Sequence, residues 1–221
     1  MDRITLGSLA SFCKRSMGVI PIIFRCALAG LALYSLWNEE RFVLTLSLVS
    51  LAISFIARNF TRKYPGAGDW DLVITSLAFF HTFFGVGLNF YQRIPLYDKA
   101  LHFSWAMFIG LSVWRTLLLF SWRGGRAIAD QLSMLLLIPL VFSLGGLWEI
   151  VEFLIDQLVA LPRLAQIDLC DTMCDMIANL VGAVFAAGLI SVYLKKRALN
   201  RPLPWVRWVN LMLSGGKRHG Y

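Results

Sequence analysis

The sequence predicts an all-α polytopic membrane protein, a bundle of about six transmembrane helices with both termini cytoplasmic. Three observations predict it. Of the 221 residues, 58% are hydrophobic and 15% charged, with a mean hydropathy of +0.66, whereas soluble domains run closer to half apolar and a quarter charged. Six apolar runs separated by short polar joints approach the roughly 20 residues that a helix needs to cross a bilayer. Finally, fifteen of the 21 Lys and Arg residues fall in the N-terminal stretch, in the joints holding Arg58, Arg62, Lys63 and Arg123, Arg126, and in the C-terminal tail. The alternate joints hold only Arg41, Arg93 and Arg163. The positive-inside rule therefore puts the basic set and both termini in the cytoplasm. The same bias, together with anionic lipid, accounts for the net charge of +8, so membrane lipid and not nucleic acid is the expected partner.

Residues 1–16 carry Arg3, Lys14 and Arg15 among Ile4, Leu6, Leu9 and Phe12, the pattern of a basic segment lying on the membrane surface. The first apolar run begins near Met17, contains Arg25 and continues to Trp37. That is too late and too long for a cleavable leader, so a retained span is expected. The six spans are expected at residues 17–37, 42–60, 70–90, 97–120, 127–158 and 171–194, forming one compact transmembrane domain over residues 17–194. Arg25 and Arg115 stand near the cytoplasmic ends of their spans, where long side chains snorkel to the headgroups. The third span shows a small and polar line of Thr75, Ala78, Thr82, Gly85 and Asn89 leading toward Gln92 and Arg93.

The fifth run, about 30 residues at 1.5 Å each, is about 45 Å long and must bend or protrude. Pro139, which lacks a backbone donor, and the pair Gly145-Gly146 mark the expected break, one turn before Glu149. Residues 195–221 form a basic tail in which Trp205, Trp208, Leu211 and Met212 recur at helical spacing, as in an amphipathic helix on the cytoplasmic surface. The four cysteines are too few and scattered for a disulfide framework. Cys170 and Cys174, one turn apart, make half a zinc site at most.

The chemistry concentrates between Gly145 and Gly182. Glu149, Glu152 and Asp156 follow i, i+3, i+7, and Asp168, Asp171, Asp175 and Asn179 follow i, i+3, i+7, i+11, so each set projects from one helix face. On the fourth span His102 follows Asp98 at i+4, with Lys99 beside it. The predicted orientation brings all these groups to the extracytoplasmic ends of three helices. Counted inward, Glu149 and Asp175 reach similar depths, roughly 10–14 Å below their helix ends.

Carboxylates at membrane depth are expensive unless they meet cations, protons or water. Seven of the thirteen acidic residues gather here, so either several are protonated or a divalent cation neutralises them. Oxygen ligands with a single imidazole suit Mg²⁺, Mn²⁺ or Ca²⁺, and are compatible with Zn²⁺. Glu149, Glu152, Asp171 and Asp175 are the expected metal ligands. His102 and Asp98 are the candidates for acid–base work, and Lys99, Arg93, Arg163 and Asn179 for binding a substrate. Asp156 and Asp168, nearer the water, are expected to be simply solvated, and His81, among Phe79, Phe80, Phe83 and Phe84, to be a packing residue.

The segments YDKALHF, WEIVEF and DTMCDMIANLVGA resemble the uncharacterised bacterial inner-membrane family typified by YjdF. More distantly they resemble VanZ-like proteins, in which an Asp-Lys followed by His-Phe is joined by a later Glu, an Arg and an Asp-x-x-x-Asn-x-x-Gly helix. That likeness falls on Asp98, Lys99, His102, Phe103, on Glu149 or Glu152, and on Arg163, Asp175, Asn179 and Gly182. The resemblance implies a helical membrane fold and an association with the cell envelope, without a settled reaction.

Three functions follow as expectations. The first is a metal-assisted enzyme or binder acting on a phosphate-bearing envelope lipid or lipid-linked precursor. The second is a proton- or cation-coupled transporter using the same acids as protonation sites, and the third a non-catalytic envelope partner. An enzyme needs its carboxylates at one face only, whereas a carrier needs a path across, for which the sequence offers little beyond Asp71, Asp130 and His81.

Overall fold

The apolar runs form helices throughout. A computed structural model describes residues 3–64, 68–123, 130–158, 166 and 168–198, and among these there are seven α-helices, one π-helical segment and no strand. The helices are α1 (Arg3–Trp37), α2 (Arg41–Lys63), α3 (Gly68–Phe79), α4 (Phe90–Arg93), α5 (Tyr97–Arg123), α6 (Asp130–Leu158) and α7 (Leu169–Ala198), with the π-helical segment Phe80–Gly87 continuing α3. Among the described residues, five stretches are long and apolar enough to cross a membrane: Gly18–Trp37, Arg41–Lys63, Trp70–Gly87, Leu135–Gln157 and Leu169–Lys195. The remaining long helix, α5, has 27 residues, enough length to cross as well. The protein is an all-α, multi-pass membrane protein. α1 runs continuously across residues 16 and 17. The predicted amphipathic stretch of the tail and Arg163 lie outside the described residues.

The chain divides into two compact units, one made of Phe84–Leu189 and the other of the described residues on either side of it. In the latter, α1 buries Arg25, Leu28, Ala32 and Ser35, and α2 buries Ser47, Ser50, Ser54 and Ala57. Both sets follow i, i+3, i+7, i+10, one face of a helix, and on α2 that face is made only of small residues, which let backbones approach. Ser50 and Thr82 share a hydrogen bond of 2.7 Å.

Arg25 does not snorkel as expected. It is buried, ion-pairs with Asp71, and donates to the Ser54 carbonyl at 2.7 Å, to Ser54 Oγ at 3.2 Å and to Thr75 Oγ1 at 3.1 Å. Counting depth along α1 alone overlooks these acceptors. A guanidinium with partners on two neighbouring helices has no need of the headgroups. Thr75 and Thr82, read as part of one line leading toward Arg93, thus serve α1 and α2.

The expected break in the fifth span is also corrected. α6 is one unbroken α-helix of 29 residues containing Pro139, and Gly145 serves a close approach: a Cβ there would lie 2.6 Å from Asn179 Nδ2 on α7. The departure from α-helical pitch occurs instead in Phe80–Gly87, two residues before Asn89, which is held at φ 59°. Within the Phe84–Leu189 unit α7 seats tightly on α5. A Cβ at Gly182 would strike the Phe103 carbonyl and lie 2.9 Å from the Ala106 Cβ, and one at Gly110 would lie 2.9 Å from that of Ala186.

Candidate functional site

The first turns of α5, the last turns of α6 and the first turns of α7 meet within the Phe84–Leu189 unit, and the sequence-predicted residues of those helices come together there. Lys99 ion-pairs with Asp171, with Asp175 at 3.0 Å and with Asp98 at 3.2 Å. One ammonium thus serves three carboxylates on two helices. His102, 6% exposed, lies at the centre: its Nδ1 is 3.1 Å from Asn179 Nδ2 and 3.7 Å from Glu149 Oε1. Its Nε2 is 3.6 Å from Asp98 Oδ1 and 3.9 Å from Asp175 Oδ1. The Asn179 contact is a hydrogen bond; the three carboxylate distances are too long to be. With the amide of Asn179 donating, Nδ1 accepts and Nε2 carries the proton toward Asp98 and Asp175.

Glu149 and Glu152 on α6 each have a neutral holder. Trp148 Nε1 donates to Glu152 Oε1 at 2.7 Å. Gln166 Nε2 donates to the Glu149 main-chain carbonyl at 3.0 Å and to Glu149 Oε2 at 3.2 Å. Neither holder was singled out by sequence reasoning. Trp148 carried a usable signal, since it precedes Glu152 by one turn; Gln166 lies in a joint without periodicity.

After these bonds, Glu149 Oε1 and Asp175 Oδ1 remain without a hydrogen-bond partner among the described residues, on residues 5% and 2% exposed. A buried carboxylate oxygen left so is costly. Both orphans flank His102. Among the described residues two sets of ligand atoms, each with its members within 4.8 Å of one another, come from Asp98, His102 and Asp175 and from His102, Glu149 and Glu152. Either set supplies carboxylate oxygens and one imidazole, a donor set that fits a hard divalent cation.

The remaining predicted residues divide. Asp171 belongs to the cluster through Lys99. Asp168 precedes α7 and accepts the Asp171 N–H at 2.9 Å, an N-cap, while Asp156 accepts the Gln166 N–H at 2.9 Å. Arg93 is exposed on α4 and makes no ion pair among the described residues. Cys26, Cys170 and Cys174 are free thiols. A cavity of about 480 Å³ adjoins the cluster, lined by Glu149, Ile150, Phe153, Asp156, Gln166 and Thr172 among others.

No solved structure matches the chain. An uncharacterised protein of Thermotoga maritima is 38% identical over 126 residues, which cover 57% of this chain and 62% of that protein, so the match spans less than two thirds of the relative's length. The family described as "Predicted membrane protein (DUF2238)" matches residues 20–196, a range that includes the whole cluster, and the chain belongs to that family.

Proposed function

We propose that this protein holds a divalent cation in the cluster around His102 and, through it, binds or acts on a phosphate-bearing envelope lipid or lipid-linked precursor at the extracytoplasmic face of a bacterial inner membrane. The observation that carries the reading is the pair of orphaned, buried oxygens, Glu149 Oε1 and Asp175 Oδ1, on either side of one imidazole. Outer partners that fix each ligand are the second support, for metal sites are built that way: Gln166 on Glu149, Trp148 on Glu152, Asn179 on His102 and Lys99 on Asp175. The cation would supply charge for a phosphate, and His102 or Asp98 a proton acceptor. Of the two resemblances, the YjdF-type one agrees with the family membership; the VanZ-like one rests on its motif residues alone.

Melting of purified protein in EDTA and with Mg²⁺, Mn²⁺, Ca²⁺ or Zn²⁺ tests the reading. A bound ion stabilises by mass action. Glu149→Gln and Asp175→Asn should each abolish the metal-dependent rise in Tm, with the double mutant little worse, whereas Asp168→Asn, which keeps a good cap, should retain it. A parent indifferent to every ion, with amide variants at least as stable, sinks the metal site.

That same outcome would favour the second reading, proton- or cation-coupled transport. One observation supports it independently: the other unit buries its own ion pair, Arg25–Asp71, with hydroxyls of Ser54 and Thr75 around it. Ion flux in proteoliposomes, abolished by Asp71→Asn, would decide for it.

A further inference from the structure

The π-helical segment Phe80–Gly87 is unused by the account above, and π-helical turns gather at functional sites. What it does here is visible at Gly85. A Cβ at that position would lie 2.7 Å from Tyr91 Cζ and 2.9 Å from Cδ2, and closer still to Cε2, so the ring occupies the space of the missing side chain. Asn89 then turns the chain with a left-handed φ of 59°, and Tyr91 follows on α4. Its ring stands edge-on to Tyr97 at 5.5 Å, beside Asp98 at the start of α5. Asp98, Glu152 and Asp175, one from each of the three helices of the cluster, lie within electrostatic reach of the phenol. A phenol carries its proton at neutral pH.

We infer that Tyr91 is a positioning residue of the acidic cluster, its hydroxyl a hydrogen-bond donor to the carboxylates that hold the cation, seated there by the absent side chain of Gly85. The role toward the cation rests on the metal reading proposed above; the donor role does not. A neutral donor suits this position. It orients acceptor-only groups without adding a charge that would repel a cation, which Lys99 does add.

Two measurements on the purified full chain test this. In EDTA, double-mutant melting cycles pair Tyr91→Phe with Asp98→Asn, Glu152→Gln and Asp175→Asn. At least one pair is expected to be non-additive, and additivity in all three overturns the inference. With Mn²⁺, calorimetry of Tyr91→Phe is expected to show an affinity loss on the order of 10- to 100-fold; affinity equal to the parent's overturns the positioning role. Should the parent bind no Mn²⁺, Mg²⁺, Ca²⁺ or Zn²⁺, the metal reading falls and the cycles alone judge the donor. Gly85→Ala checks the seat: it should lower Tm and be partly relieved by adding Tyr91→Ala, and an unperturbed Gly85→Ala protein overturns the seating.

Discussion

Gly145 on α6 makes room for Asn179 on α7: a methyl group on the glycine would stand 2.6 Å from the amide nitrogen and 2.8 Å from the amide carbon. The same amide holds His102 Nδ1 at 3.1 Å. A backbone position on one helix therefore sets the orientation of an imidazole on another.

Gly145→Ala should cost roughly 1–3 kcal/mol through overpacking. Adding Asn179→Ala relieves the clash, so the double variant should lose less than the sum of the singles. Thermal melts of the four proteins in detergent check this; strict additivity would refute the contact.

Lys99→Met should lower stability toward the low end of the roughly 3–5 kcal/mol expected when a buried ion pair loses one partner, since the Lys99 side chain is 23% exposed. Three carboxylates then lack their ammonium. Divalent ions should therefore raise the Tm of Lys99→Met more than that of the parent, a comparison made by melting with and without EDTA.

Trp148→Phe keeps the ring but removes the donor to Glu152 Oε1. Metal affinity should fall on the order of 10- to 100-fold, the usual cost of losing an outer partner. Isothermal titration with Mn²⁺ measures it, and unchanged affinity would remove Glu152 from the ligand set.

Arg25→Met should destabilise by roughly 3–5 kcal/mol because Asp71 and its hydroxyl neighbours lose their cation. Arg25→Met/Asp71→Asn should be more stable than Arg25→Met alone, as read from melting and from yield in the membrane fraction.

A cysteine introduced at Arg163 of an otherwise cysteine-free chain should react with a membrane-impermeant maleimide in intact cells. Labelling only after permeabilisation would reverse the topology and place the cluster at the cytoplasmic face.

Two of the helix ends that frame the cluster were legible because hydropathy and joint chemistry act locally: α5 begins at Tyr97 and α6 ends at Leu158 as read. So was the cluster, since helical spacing alone puts Glu149 with Glu152 and Asp171 with Asp175. Partners across helices were not. Arg25 was assigned to the headgroups because a single helix shows depth but not the Asp71 on its neighbour. Pro139 pointed to a break that is absent, for a proline inside a helix removes one donor without obliging the helix to end. The change of pitch at Phe80–Gly87 left no local signature, because glycines and aromatics there read equally as α-helix. Gln166 and Tyr91 stand in short joints where periodicity has no purchase.

α5 carries Asp98, Lys99 and His102 in its first turns. Charged residues weigh against transfer from the translocation machinery into lipid. The neutralising partners of Lys99, Asp171 and Asp175, are synthesised some seventy residues later, on α7. A nascent chain that ends before α7 emerges therefore holds Lys99 without two of the three carboxylates that ion-pair with it in the folded protein.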